Sequence, residues 1–136
     1  PHQKIANTFI ENAIIKSNAG AIKTIFYLAS ILENVELDRV KDDRIVGIII
    51  DTKDMLKYTE MTMPEIRRNI KAMQETSITF EDEKAGTITG MSLLPLYEIV
   101  HGKSKIRLDL YGRIARMILG VKDNYTYINT KTLMVL

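Results

Sequence analysis

The most constraining feature of this 136-residue sequence is a helix start at residues 62–65. Thr62 has the short hydroxyl side chain that caps helix N-termini, and Glu65 follows three residues later, as in a capping box. Pro64 falls in the first turn, where its missing N–H leaves no hydrogen bond unmade. Apolar residues then recur at intervals of three and four, which predicts a helix with one buried face: Met63, Ile66, Ile70 and Met73.

A second, shorter helix is predicted just before this one. Thr52 can cap a helix that runs through Met55, Leu56 and Tyr58, and only the tight turn at residues 59–61 separates the two helices. Two helices joined in this way are typical of a helix-turn-helix unit, in which the first helix positions the second.

A β-hairpin is predicted to follow the helix-turn-helix. Apolar residues alternate with polar neighbours on both sides of a turn at residues 84–86: Ile78 and Phe80 before it, and Ile88, Met91 and Leu93 after it.

The remaining segments complete an α+β pattern. Residues 18–33 have apolar residues at helical spacing, with Ser17 or Asn18 as the cap, and residues 46–50 form a β-branched run that predicts a strand buried on both faces. The other predicted elements are a charged loop at residues 34–44, paired strands at residues 96–100 and 105–110, and a helix at residues 111–119. This order predicts a single α+β winged-helix domain over residues 1–136, a helix-turn-helix with an antiparallel β-hairpin wing.

The outward face of the capped helix has the side chains that contact DNA in a helix-turn-helix. Cations and amides at these positions can bind phosphates or base edges: Arg67, Arg68, Asn69, Lys71 and Gln74. The alternative is a solvated helix face. The predicted wing differs, because Glu81, Asp82 and Glu83 surround its tip with only Lys84 to offset them, and negative charge repels phosphate.

Several other functional classes lack the residues that they need. The chain has no cysteine and only two histidines, His2 and His101, far apart in the sequence, so we predict no metal site. No glycine-rich phosphate loop and no nucleophile with its base can be recognised, so we predict no cofactor and no enzymatic activity. The longest apolar stretches are shorter than the ~18 residues that span a bilayer, so we predict no membrane segment.

Six segments carry a resemblance in their apolar spacing and element order: residues 12–15, 21–32, 46–51, 55–58, 66–73 and 105–110. In these segments the chain resembles the plasmid replication initiators of the initiator RepB family. The resemblance implies a cytoplasmic initiator with two winged-helix domains, of which the second reads origin repeats called iterons. The first dimerises and touches the DNA backbone. This chain looks like the first domain, with the C-terminal half absent.

The resemblance also implies partners, namely double-stranded DNA at origin iterons or an operator, a second copy of the chain, and host replication proteins. We predict DNA contacts at Arg67, Arg68, Asn69, Lys71, Lys103, Lys105 and Arg107, and dimerisation through the strand pair at residues 96–110. Two rival functions remain open. One is a transcription regulator that reads DNA with the helix at residues 63–76, and the other is a purely structural dimerisation module.

Overall fold

The computed structural model describes residues 19–121, so the predicted cap at Ser17 or Asn18 lies outside the described residues. The elements are α1 (Ala19–Leu32), β1 (Ile45–Asp51), α2 (Thr52–Thr59), α3 (Met63–Gln74), β2 (Ser77–Asp82), β3 (Thr87–Ser92), β4 (Leu96–Val100) and β5 (Lys105–Tyr111). A further helix, α4, occupies residues 112–121. The predicted element order is confirmed, including the irregular loop at residues 34–44.

Helix α1 is held against α2 by a buried tyrosine. The Tyr27 hydroxyl donates to Asp54 Oδ2 at 2.9 Å, and its ring meets Tyr58 edge-on with 5.2 Å between centroids. Burial of the phenol, together with the hydrogen bond to Asp54, raises the pKa of Tyr27. Tyr27 therefore stays a neutral donor that fixes the first helix of the helix-turn-helix to the core.

Strand β5 is the centre of a three-stranded antiparallel sheet with the order β1-β5-β4. The prediction that residues 46–50 are buried on both faces is wrong. Val46, Ile48 and Ile50 point into the core, whereas Ile45 and Ile49 are exposed on the opposite face. A continuous apolar run fits a strand buried on both faces, but in the described residues the helices pack against one face of this sheet only. We call the opposite face the outer sheet face.

The two helices of the helix-turn-helix begin at different kinds of cap. The cap of α2 is Asp51 and not the predicted Thr52, because the Asp51 carboxylate accepts the N–H groups of Lys53 at 2.9 Å and Asp54 at 3.2 Å. The predicted cap of α3 is confirmed, with the Thr62 hydroxyl oxygen accepting from the Glu65 N–H at 3.4 Å.

The loop at residues 34–44 is fastened to α4 by an arginine. The Arg116 guanidinium donates to the carbonyls of Leu37 at 3.0 Å and Val40 at 2.6 Å, and it also pairs with Asp42. Gly112 lies so close to this loop that an added Cβ would be 2.5 Å from the Lys41 carbonyl oxygen. The loop is therefore part of the packed structure despite its charge.

The β2–β3 hairpin forms the wing and projects beyond the core. Ile78, Phe80 and Met91 are buried at its base, where the guanidinium of Arg113 lies 3.8 Å from the centre of the Phe80 ring. Every residue from 81 to 90 is exposed, so the apolar alternation predicted through Ile88 ends before the tip.

Candidate nucleic-acid interface and sheet surface

Three cations of α3 share one exposed face. Arg67, Arg68 and Lys71 lie at helical spacings of three and four, and all are exposed. Within residues 19–121, none of their side chains forms an ion pair or a hydrogen bond. These guanidinium and ammonium groups are thus available to an external anion, and we call the three residues the α3 basic face.

Asn69 does not belong to this face, contrary to prediction. Its side chain is buried, and its amide donates to Met61 Sδ at 3.5 Å. Asn69 follows Ile66 by three residues and precedes Met73 by four, which places it on the buried side of the helix. Its amide therefore fixes the turn between α2 and α3.

Helix α2 adds two cations that the sequence reasoning missed. Lys53 and Lys57 are exposed at i and i+4, and neither side chain is in an ion pair within the described part of the chain. In a helix-turn-helix the first helix crosses the DNA backbone, so this spacing in a predicted first helix was the available signal.

Two of the cations predicted on the β4–β5 hairpin are already paired. Lys105 Nζ lies 3.3 Å from Asp51 Oδ2, and Arg107 bonds both Glu98 at 3.1 Å and Asp109 at 3.2 Å. The pKa of the Asp51 carboxyl is lowered first by the Asp54 N–H and then by Lys105.

Lys103 differs from these two cations because it is exposed in the connecting turn and its side chain has no partner among the described residues. Of the predicted cations, the structure therefore leaves Arg67, Arg68, Lys71 and Lys103 exposed without a partner in the described residues, and engages Lys105 and Arg107 in ion pairs.

The outer sheet face combines these ion pairs with exposed apolar side chains. Ile49 is 71% exposed, and Ile45, Leu96 and Val100 are 48%, 38% and 38% exposed. Only two other large apolar side chains are exposed in residues 19–121, so most such surface gathers on this one sheet. A sheet surface of this kind fits a protein partner better than a polyanion.

The wing tip is as acidic as predicted. Glu81, Asp82 and Glu83 are exposed, and Asp82 caps the turn by accepting the N–H groups of Lys84 and Ala85, both at 3.1 Å. The wing therefore presents negative charge where a DNA-binding wing needs a neutral or positive surface.

Residues 19–121 contain no group of three or more His, Cys, Asp or Glu that could hold a metal ion. None of the helices in this range has both the length and the apolar character needed to cross a membrane.

Comparison with known proteins agrees with this architecture. A family model described as the initiator replication protein WH1 domain matches residues 3–136. The crystal structure of the WH1 domain of a replication protein isolated from a multiple sclerosis patient superposes with a TM-score of 0.60. The two chains share 8% sequence identity over 91% of this chain and 94% of the other, which establishes the likeness of fold. No curated protein matches the sequence. The predicted winged-helix fold and the resemblance to replication initiators are confirmed.

Proposed function

Because the chain belongs to the initiator replication protein family, as a WH1 domain, we propose that it acts in the initiation of plasmid DNA replication in the cytoplasm. It does so without catalysis, as the first of two winged-helix domains, by contacting the DNA backbone beside origin repeats and by pairing with a second copy. The observation that carries the DNA-binding part is the unpaired α3 basic face beside an acidic wing.

Backbone contact is favoured over base reading by the chemistry of the side chains. Of the two α3 amides that could bond adenine, Asn69 is buried, which leaves Gln74, the last residue of the helix, as the exposed carboxamide of α3. Arg67, Arg68 and Lys71 are cations, which bind phosphate without needing base geometry. The acidic wing disfavours a second DNA contact at its tip. These features support auxiliary binding to the DNA backbone rather than sequence recognition by this domain alone.

The DNA-binding part is tested by replacing Arg67, Arg68 and Lys71 together with alanine. We expect weaker binding to every duplex, and a plot of log affinity against log salt concentration whose slope shrinks by about 0.9 for each lost phosphate contact. Fluorescence anisotropy with two unrelated duplexes at several salt concentrations measures both quantities. Lys84→Ala removes a cation from the wing tip and is the matched control, with no loss expected.

The other outcomes separate the rival functions. If the triple variant loses affinity for one sequence only, the domain reads bases and a transcription regulator is the better description. If the wild-type chain shows no salt-dependent DNA binding at all but self-associates, it is a structural dimerisation module.

Dimerisation is supported by the apolar side chains and open strand edges of the β1-β5-β4 sheet. Sedimentation over a range of protein concentrations measures it directly. A concentration-dependent shift from monomer to dimer mass is expected, and a monomer at all concentrations contradicts this part of the proposal.

A further inference from the structure

Strand β1 has backbone groups that no part of the described chain satisfies. The Thr52 N–H bonds the Ser104 carbonyl and the Gly112 N–H bonds the Arg44 carbonyl, which fixes the hydrogen-bonding pattern of the antiparallel β1–β5 pair. Because hydrogen-bonded pairs alternate in such a ladder, the even-numbered residues of β1 bond to β5. The N–H and C=O groups of residues 45, 47 and 49 therefore point away from the sheet, along its edge, whereas the carbonyl of Asp51 belongs to the cap of α2.

The two edges of the sheet are not equally protected. Strand β4 has five residues, follows Pro95 and carries Glu98 at its centre. Charge, proline and short length are the devices by which native edges avoid pairing. Strand β1 has seven residues, with no charge before Asp51 and no proline. An edge left this open is suited to adding another strand.

Of the two edge strands, only β1 can pair antiparallel with its own copy in a second chain without placing like charges opposite each other. Antiparallel pairing of β4 with itself, centred on Glu98, sets the two Glu98 carboxylates opposite each other, which is unfavourable. Pairing of β1 with itself, centred on Ile48, sets Ile45 opposite Asp51 and uses all seven residues.

The shape of β1 also fits its own copy. In the register centred on Ile48, Gly47 lies opposite Ile49 of the second copy. Ile49 is the most exposed side chain of the sheet, and Gly47 has no side chain to obstruct it. The inward residues Val46, Ile48 and Ile50 meet only each other, so the two apolar cores become continuous.

We propose that β1 is the dimer interface, pairing antiparallel with β1 of a second copy about a two-fold axis at Ile48. Two three-stranded sheets thereby become one of six strands. This inference rests on the proposed dimerisation and replaces the strand pair at residues 96–110 as its site. In the joined sheet the interface exchanges backbone hydrogen bonds between Gly47 of each copy and Ile49 of the other.

The test is Ile49→Pro in the full 136-residue chain. Proline at this position removes an N–H that points out of the sheet and has no bond within the described chain, so the β1–β5 ladder is kept. The matched control is Ile99→Pro, which removes the equivalent outward N–H from β4. We expect the dimer Kd from sedimentation to rise at least about tenfold for Ile49→Pro and to stay within about twofold for Ile99→Pro.

The control outcomes distinguish this inference from the proposed function. A wild-type monomer overturns both. A wild-type dimer that Ile49→Pro leaves intact, or that Ile99→Pro weakens as much, overturns the β1 interface alone. Circular dichroism establishes that each variant is folded.

A second measurement does not depend on a proline variant folding. The chain has no cysteine, so Ile49→Cys gives a unique site for a spin label. The register centred on Ile48 places the two labelled Cα atoms within about 10 Å, which broadens the electron paramagnetic resonance spectrum of the dimer. Labels at Ile88→Cys and Leu96→Cys should show no broadening, and broadening at Leu96 without broadening at Ile49 overturns the proposal.

Discussion

The cations of α3 and those of β5 and α4 carry the same charge but have different surroundings. Arg67, Arg68 and Lys71 project into solvent with no partner in the described chain. Arg107 and Arg116, by contrast, are bound to carboxylates and carbonyls of neighbouring strands and loops. A basic segment of sequence therefore becomes a DNA-binding surface only where folding leaves its charges unpaired. Replacing the α3 cations should change DNA binding, whereas replacing the others should change stability.

The largest effect that we expect is the loss of stability in the variant Arg116→Ala. The carbonyls of Leu37 and Val40 lose their donor, and the free energy of unfolding falls by about 2 kcal/mol. Urea unfolding followed by circular dichroism measures the change. Arg68→Ala is the matched control, with a change within about 0.5 kcal/mol because its side chain is exposed and unpaired. Equal changes in the two variants would contradict the distinction between paired and unpaired cations.

A smaller effect is expected when Lys105 and Arg107 are replaced together with alanine. The pairs of Lys105 with Asp51 and of Arg107 with Glu98 are exposed, and each contributes from zero to about 1 kcal/mol to stability. Arg107 also bonds the buried carboxylate of Asp109, and the loss of that partner adds to the destabilisation. DNA affinity should stay within about twofold of wild type, because these charges already have carboxylate partners. Anisotropy under the conditions used for the α3 triple variant measures it. A loss of DNA affinity as large as that of the triple variant would mean that Lys105 and Arg107 contact DNA after all.

Much of the fold could be predicted because its determinants are local. The Thr62 cap, the turn at residues 84–86 and the apolar spacing of α1 depend on residues close in sequence. Burial on one face of β1 could not be predicted, since an uninterrupted run of Val and Ile fits either environment and only the neighbouring layers decide.

Whether a cation of β5 is paired with a carboxylate could not be predicted either, because the pairing depends on strand register. Lys105 and Asp51 are 54 positions apart and become partners only when β1 pairs with β5. Asn69 was misassigned because its residue type is polar, although its spacing from Ile66 and Met73 places it inward. The location of the candidate site on α3 and its three cations were thus predictable, whereas the burial of Asn69 and the pairing of Lys105 and Arg107 were missed.

The smallest expected effect is on the free energy of unfolding at acid pH. It depends on the Asp51 carboxylate, which pairs with Lys105 of β5. The folded pKa of Asp51 is lowered below the ordinary value of 3.8, so the stability it contributes is present above that pH and is lost as the pH falls through the folded pKa. Asp51→Asn keeps a cap oxygen for the N–H groups of Lys53 and Asp54 but does not titrate. Below pH 3.8 the wild type should therefore lose stability faster than the variant, in urea unfolding at successive pH values.

Lys105→Ala in the wild-type background should reduce this difference without abolishing it, because the Asp54 N–H is the larger cause of the shift. If Lys105→Ala left this difference unchanged, Lys105 would be held too loosely to be withheld from DNA, and the contrast between α3 and β5 would then rest on Arg107 alone.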